Sequence, residues 1–268
     1  MDIDFDHVAF ALHEPQWAID LLASSLGATP LFGAAGRFRW TIVRAGDGAS
    51  GMNVELLQPL PVPSSDFLSA FLSRRGDGPH HLTFKATDIN AVLARLRSAG
   101  FEPIDVSLSN PRWQEAFLRP RDAHGTIVQV VQTDFRRPPM ADMLRLAHAE
   151  GPLALTHLAI DEGEVWWEEP ARSSPPVIVD GVTLATPSPR AAKDLYGRVL
   201  GGRLVAEDDD CVVLAWPTDI RLRFVKSTTA SGIVALNCRA GVSPGAVTLA
   251  GVAFEVIGDD MVGVESEA

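Results

Sequence analysis

The apolar positions of this chain fall into a repeating order of short runs and longer stripes. Residues 4–12 alternate weakly between apolar and polar, as a half-buried strand does. Pro15 to Leu26 follows at helical spacing, with Trp17, Leu21, Leu22 and Ser25 or Leu26 on one face and Gly27 placed to end it. Apolar runs near 29–32, 37–45 and 52–58 read as strands, with Gly46, Gly48 and Gly51 turning between the last two. The order so far is βαβββ. A short connecting helix is predicted over 64–73. The order then restarts with a strand over 80–86. Thr87 or Asp88 offers an N-cap to a helix over Ile89–Ala99, whose stripe is Ile89, Val92, Leu93 and Leu96 and which Gly100 ends. Strands near 102–107, 113–119 and 126–132 complete a second βαβββ.

Arg136-Arg137-Pro138-Pro139 breaks this pattern and reads as a linker. A helix is predicted over 141–149 and an extra strand over 154–160. The acidic stretch from Asp161 to Glu169, which carries Trp166 and Trp167, reads as a solvated loop, and 172–176 as a second linker. From 178 the first half is rewritten. Asp180-Gly181-Val182-Thr183-Leu184 aligns with Asp6-His7-Val8-Ala9-Phe10, a helix is predicted over Pro189–Leu200, and Arg221-Leu222-Arg223 aligns with Asn53-Val54-Glu55. Gly232-Ile233-Val234-Ala235 aligns with Gly78-Pro79-His80-His81, and Ala253-Phe254-Glu255 with Ile127-Val128-Gln129. The fourth copy has no room for its helix. The expected parts are a domain over 1–135, a linker with an extra strand over 136–177, and a degenerate copy over 178–268.

The repeat carries chemistry. In the first half each copy opens on a strand with a histidine, His7 or His81, and closes on an apolar strand with one polar residue, Glu55 or Gln129. Two copies about a pseudo-twofold axis would bring two imidazoles and two side-chain oxygens together. That donor set suits a divalent ion such as Zn, Ni, Co, Mn or Fe(II). Glu55 adds weight, because a carboxylate between Val54 and Leu56 is costly to bury without a partner. The second half offers Gly181, Arg223, Ala235 and Glu255 at these positions, so three of the four have lost the donor. The expectation is one metal site, in the first half, with the second half scaffolding, covering the site or mediating a homodimer. In a regular strand His80 would face away from His81. Trp113, Glu115 and Phe117 share one face of their strand. On the third strand Arg37, Arg39 and Thr41 share one face and Phe38 and Trp40 the other, so the inward wall is either cationic or aromatic. His124 stands at a turn before the last strand, at the rim of the expected site.

Composition narrows the partners. The formal charge of −11 argues against a nucleic-acid surface, which needs a basic stripe against phosphate. Nearly half of the 268 residues are apolar (46%), enough for a sizeable core, but no run approaches a membrane span. Cys211 and Cys238 lie far apart with no metal-type spacing, which suits free thiols in a reducing, cytoplasmic compartment. Phosphate-binding glycine loops and nucleophile elbows are absent from the sequence.

The four-strand spacing, with Asp6-His7-Val8-Ala9, Val54-Glu55-Leu56-Leu57-Gln58-Pro59 and His80-His81-Leu82, resembles the vicinal oxygen chelate superfamily of glyoxalase I, methylmalonyl-CoA epimerase and extradiol dioxygenases. The epimerase-like branch is nearest. The resemblance spans 3–133 and, weakly, 178–258. It implies an α+β fold of paired βαβββ modules forming a curved eight-stranded sheet, with a second, degenerate copy. It implies one divalent ion held by His7, Glu55, His81 and Gln129, and a substrate with a carbonyl or carboxylate, acyl-CoA compounds among them. The implied chemistry is that of an isomerase or lyase acting next to a carbonyl through a stabilised enolate. Glu55 and Glu115 are the candidate catalytic carboxylates, and Arg39, Trp40, Trp113 and His124 the candidate substrate contacts. This chain departs from the epimerase-like pattern in having Gln129 where those enzymes have a carboxylate, and no acid in Arg37-Phe38-Arg39-Trp40-Thr41. Two rivals follow from the same resemblance: a binding or sequestration protein without chemistry, and an extradiol-type dioxygenase.

Overall fold

The computed structural model describes residues 2–60, 67–159, 163–172, 175–239 and 247–257. The first half contains β1 (Ile3–Ala11), α1 (Gln16–Leu26), β2 (Thr29–Ala35), β3 (Phe38–Gly46), β4 (Gly51–Pro59), α2 (Phe67–Arg75), β5 (Gly78–Ala86), α3 (Ile89–Ser98), β6 (Ile104–Ser107), β7 (Gln114–Leu118) and β8 (Ile127–Gln132). The eight strands form one sheet in the order β2-β3-β4-β1-β5-β8-β7-β6. The two opening strands, β1 and β5, lie antiparallel at its centre. Each has its own closing strand parallel on its outer side, β4 beside β1 and β8 beside β5. This is the paired βαβββ arrangement.

The helices follow their caps and stripes, with one shift. Asp88 accepts from the Ala91 N–H and starts α3, and Ile89, Val92, Leu93 and Leu96 are buried as the stripe predicts. On α1 the buried stripe is Ala18, Ile19, Leu22, Ala23 and Leu26, while Trp17 is exposed. The small alanines, not the tryptophan, face the sheet. Gly27 ends α1 in the left-handed conformation, at φ 59°. The predicted connecting helix is present as α2, and its expected first residues, 64–66, lie outside the described ones.

The connecting segment holds α4 (Met140–Glu150) and a 3-10 helix over Pro152–Leu158, not the strand expected over 154–160, as far as its described residues, 154–159, show. Proline at the first helical position favours this choice, and Leu155 and Leu158 are buried by it. Met143, Leu144, Ala147, Leu155 and Leu158 pack with Phe32, Trp40, Ile42 and Leu57, so this segment covers the concave side of β2–β4. The acidic stretch is not a solvated loop over its described part. Gly163 bridges Ala34, the Glu164 N–H donates to the Gly33 carbonyl, and Trp166 Nε1 donates to the Trp40 carbonyl. Trp167 is buried in the core, 2.9 Å from where a Cβ on Gly33 would lie.

The second half forms a seven-stranded sheet from β9 (Val179–Thr186), β10 (Arg203–Glu207), β11 (Cys211–Ala215), β12 (Arg221–Lys226), β13 (Gly232–Arg239), β14 (Thr248–Leu249) and β15 (Val252–Ile257). Its order, β10-β11-β12-β9-β13-β15-β14, repeats the first sheet with its last module shortened. The helix expected over Pro189–Leu200 is wound as a 3-10 turn (Pro189–Ala191) and a π-helix (Lys193–Val199) that buries Tyr196. The two halves share one core. Phe84 meets Tyr196 and Trp216 at ring separations of 6.1 and 5.2 Å, and the Tyr196 hydroxyl donates to the Ala123 carbonyl. Gly125, at φ 90°, lies so close to Ser231 and Gly232 that a side chain there would collide with them. Both cysteines are free thiols, as expected. Among the described residues no helix is long and apolar enough to cross a membrane.

Candidate metal centre

The strand registers explain why the repeat builds a site. Ala9 stands opposite both Glu55 on β4 and His81 on β5, while Thr83 stands opposite both His7 on β1 and Gln129 on β8. Paired residues share a face, so all four predicted donors point into the concavity. One ligand atom each from His7, Glu55 and His81 lies within 4.8 Å of the others. Glu55 Oε2 is 3.3 Å from His7 Nε2 and 3.6 Å from His81 Nε2.

Two β-bulges set this geometry. Phe5 pairs with Phe84 but His7 with Thr83, leaving Asp6 as an extra residue on β1. Ala9 pairs with His81 but Phe10 with Pro79, leaving His80 as an extra residue on β5. Each bulge immediately precedes a candidate ligand. The first also explains the weak alternation of β1: Ile3 and Phe5 face the core at odd positions, Val8 and Phe10 at even ones, and the extra residue absorbs the change of phase. The second half keeps both irregularities, at Asp180 and Val234.

Each extra residue meets the imidazole that follows it. Asp6 Oδ2 is 2.7 Å from His7 Nδ1, and His80 Nδ1 is 2.8 Å from His81 Nδ1. An acceptor at Nδ1 fixes the tautomer that leaves Nε2 free for a metal. His80 therefore does not face away from His81. The bulge turns its ring beside its neighbour, where Phe67 and Phe71 pack on it.

The two candidate ligand histidines are electrostatically unlike. Burial disfavours charge on His7, but Glu55 and Asp6 outweigh it and raise its pKa to about 9. Burial also works against the charged form of Asp6, yet His7, Arg137 and Lys85 bring it down to about 2. His81 is held well below its ordinary value by burial and then by His80 and His7, with only the Gln129 side chain pulling the other way. Burial lowers His80 to about 4, so it is neutral and able to accept. His81 Nε2 is buried and has no hydrogen-bond partner. An orphaned imidazole nitrogen facing a carboxylate and a second imidazole is costly without a ligand, and these three donors fit a divalent ion.

Gln129 takes a different part. Its Oε1 accepts from Thr83 Oγ1 at 2.7 Å, and its Nε2 donates to Glu115 Oε2 at 2.8 Å. Thr83 Oγ1 also lies 2.9 Å from His7 Nε2, and Trp113 Nε1 donates to the same Glu115 oxygen at 2.9 Å. A continuous path of hydrogen bonds thus runs from Asp6 through His7, Thr83 and Gln129 to Glu115. Trp113, Glu115 and Phe117 stand half-buried on the concave face of β7 and its approach, the side that the connecting segment leaves uncovered.

The other expected contacts divide. Trp40 is on the concave face with Ile42 and Phe38, so the inward wall is aromatic, but the connecting segment packs over it. Arg39 is not in the site. It lies on the opposite face of β3 from Glu55, against Gln58 and Trp166. His124 is not at the rim of the cup either. It holds φ 57°, bonds Thr186 through Nδ1 at 2.8 Å and packs on Tyr196 and Phe224, at the junction of the two halves. Sequence reasoning passed over Asp6, Thr83 and Arg137. Arg137, inside the linker, turns back so that its guanidinium lies 4.5 Å over the Phe32 ring, near enough for the charges of Asp6 and Glu55 to act on it. In the second half Glu255 is exposed, and among the described residues His7, Glu55 and His81 form the one metal-type group.

Comparisons with known proteins accord with the fold. No curated protein matches the chain. A hypothetical protein from Staphylococcus aureus is similar over 96% of this chain and 100% of its own, at 14% identity and a TM-score of 0.60. A mutant 4-hydroxymandelate synthase from Streptomyces coelicolor is similar over 89% of this chain and 71% of its own, at 14% identity and a TM-score of 0.57. A methylmalonyl-CoA epimerase from Mycobacterium tuberculosis covers 52% of this chain and 91% of its own, at 24% identity and a TM-score of 0.43. Residues 6–117 match the model of the family described as Glyoxalase/Bleomycin resistance protein/Dioxygenase superfamily. That module, which carries His7, Glu55 and His81, is the part of the chain that is similar to the glyoxalase/bleomycin resistance/dioxygenase superfamily.

Proposed function

We propose that the protein is a metal-dependent enzyme of glyoxalase or epimerase type, an isomerase or lyase acting on the carbon next to a carbonyl. The observation that carries this reading is the convergence of His7 Nε2, Glu55 Oε2 and His81 Nε2, which has no hydrogen-bond partner, in one cluster of two buried imidazoles and a half-buried carboxylate. These three residues would hold a divalent ion, of Zn, Ni, Co, Mn or Fe(II) type. Such an ion supplies Lewis acidity, which lowers the cost of an enolate or related oxyanion. Asp6 and His80 orient the two imidazoles. Glu115 is the carboxylate placed for proton transfer: it faces the uncovered side of the cup, and Trp113 and Gln129 fix one of its oxygens. It would take the proton from the carbon beside the carbonyl while the C–H electron pair moves toward the carbonyl oxygen, and would return the proton to the same or the neighbouring carbon. Glu55, pressed between two imidazoles, is committed to holding the ion. The test is proton–deuterium exchange at the alpha carbon of 2-oxo acids and acyl-CoA thioesters by the metal-loaded protein. Exchange lost in Glu115→Gln with the metal retained supports the reading. Exchange unchanged in Glu115→Gln removes Glu115 from the role.

One observation favours a second reading. Both amide groups of Gln129 are engaged, by Thr83 and Glu115, which leaves two histidines and one carboxylate as donors. That set, with open positions, is the one non-haem iron oxygenases use. Oxygen consumption with catechols by the Fe(II)-loaded protein, without alpha-proton exchange, would select the dioxygenase over the isomerase.

A further inference from the structure

A recess of about 590 Å³ lies at the end of the concave face, lined by Lys85, Thr133, Asp134, Phe135, Arg136 and Arg137. Three of the six are cations and one is an acid, in a chain whose formal charge is −11. The acid, Asp134, is exposed, whereas Lys85 and Arg137 are half-buried. No ion pair among the described residues involves Lys85, Arg136 or Arg137. The carboxylates of Asp6 and Glu55 act on Arg137, and Asp6 on Lys85, only from beyond ion-pair distance, so the part-buried Lys85 and Arg137, with the exposed Arg136, leave the recess favourable to a further anion.

The recess adjoins the metal centre. His81, Thr83 and Lys85 alternate along one face of β5, and Lys85 stands beside Val131 of β8 where Thr83 stands beside Gln129. His81 and Lys85 are thus about 13 Å apart along the strand, at roughly 3.3 Å per residue. Arg137 lines the recess from the connecting segment. Its guanidinium stacks 4.5 Å over Phe32 and, more loosely, 6.0 Å from Phe135, and its Nε points to the Leu158 carbonyl at 3.5 Å. Two aromatic rings and a carbonyl hold it in place, and no carboxylate is paired with its terminal nitrogens. Arg137 lines the recess with its terminal nitrogens outside any ion pair, and a guanidinium is a planar fork of donors suited to an oxyanion.

We infer that Lys85, Arg136 and Arg137 form a binding site for an anionic group, a carboxylate or a phosphate, on a molecule whose carbonyl end reaches the His7, Glu55 and His81 centre. The link to the carbonyl end rests on the metal reading above, but anion binding by the recess does not. Carboxylate and phosphate share the chemistry, and separate probes tell them apart.

The test uses the full-length protein freed of metal, titrated calorimetrically with malonate and, separately, with pyrophosphate. Saturable binding of at least one probe is expected, weakening with added salt and falling tenfold or more in Arg137→Gln. Lys85→Gln, a half-buried change on a strand edge of the recess, should weaken binding severalfold and serves if Arg137→Gln fails to fold. Because the protein carries no metal in this titration, its outcome does not depend on the metal reading, which uptake of a divalent ion tests separately, so a failed metal reading and a failed anion site give different results. Preference for malonate assigns the carboxylate, and preference for pyrophosphate the phosphate. Binding of neither probe, or binding undiminished in both Lys85→Gln and Arg137→Gln, overturns the inference.

Discussion

His80 Nδ1 lies 2.8 Å from His81 Nδ1, and the same relation holds at 2.7 Å between Asp6 Oδ2 and His7 Nδ1. In both cases the partner is the extra residue of a β-bulge, one position before the ligand. A carboxylate serves one imidazole and a neutral imidazole the other. The consequence is two imidazoles of different character at the candidate metal site: His7 favours the charged form, and His81 the neutral one.

His80 is expected to act on the metal through His81. His80→Phe keeps an aromatic ring against Phe67 and Phe71 but removes the acceptor. Losing such an outer partner costs about 10–100-fold in metal affinity. His80→Asn, which can still present an oxygen, should recover part of that loss. Competition with a chelating dye, using Zn or Co, gives both numbers. Equal affinity in His80→Phe and the unaltered protein would show that the contact is packing alone.

The raised pKa of His7 makes the metal-free protein sensitive to alkali. Its folded-state value, about 9, lies above the ordinary 6.5, so the stability it contributes is fully present below about pH 6.5 and lost as the pH rises through about 9. Denaturant midpoints of the metal-free protein should fall over that range, and fall less in His7→Gln. Metal binding shows the opposite slope. His7 must release its proton to coordinate, so apparent affinity should climb about tenfold per pH unit up to about 9. A flat affinity profile between pH 6.5 and 9 would mean that His7 is not a ligand.

Gln129→Glu places a second carboxylate where the amide now donates to Glu115 at 2.8 Å. One of the two acids must then keep a proton, which raises its pKa. The metal-free variant should lose stability as the pH rises from 5 to 8 relative to the unaltered protein. An added divalent ion should offset that loss if the new carboxylate turns toward the centre. Thermal unfolding at the two pH values, with and without Zn, separates these effects.

The main outline of the site is legible in the sequence because His7, Glu55, His81 and Gln129 occupy matching positions of a repeat, and strand registers carry matching positions to one place. The second half is legible in the same way: Gly181 and Arg223 occupy the register positions of His7 and Glu55. What escapes is local phase. A bulge reverses which face a residue takes, so His80 joins the site against strict alternation, and the only trace on β1 is the shift from odd to even apolar positions between Phe5 and Val8. Arg39 and His124 fail for another reason. Polarity does not say which face of β3 is inward, nor that the turn before β8 is used to join the two halves. Arg137 sits in a polar, proline-rich linker, where no periodicity exists to show that the chain turns back.

The proposed function needs a divalent ion at His7, Glu55 and His81. If it binds, mass action should stabilise the native state, by ~2.7 kcal/mol at a hundredfold excess of metal over its Kd. The most direct measurement is metal content by mass spectrometry after equilibrium dialysis of the full-length protein, purified without chelator, beside His81→Ala, against Zn, Ni, Co, Mn and Fe(II). Close to one ion per chain is expected for at least one of these metals, and loss of that ion in His81→Ala. A protein that takes up none of them, or a His81→Ala variant that keeps its ion undiminished, would contradict the proposed function.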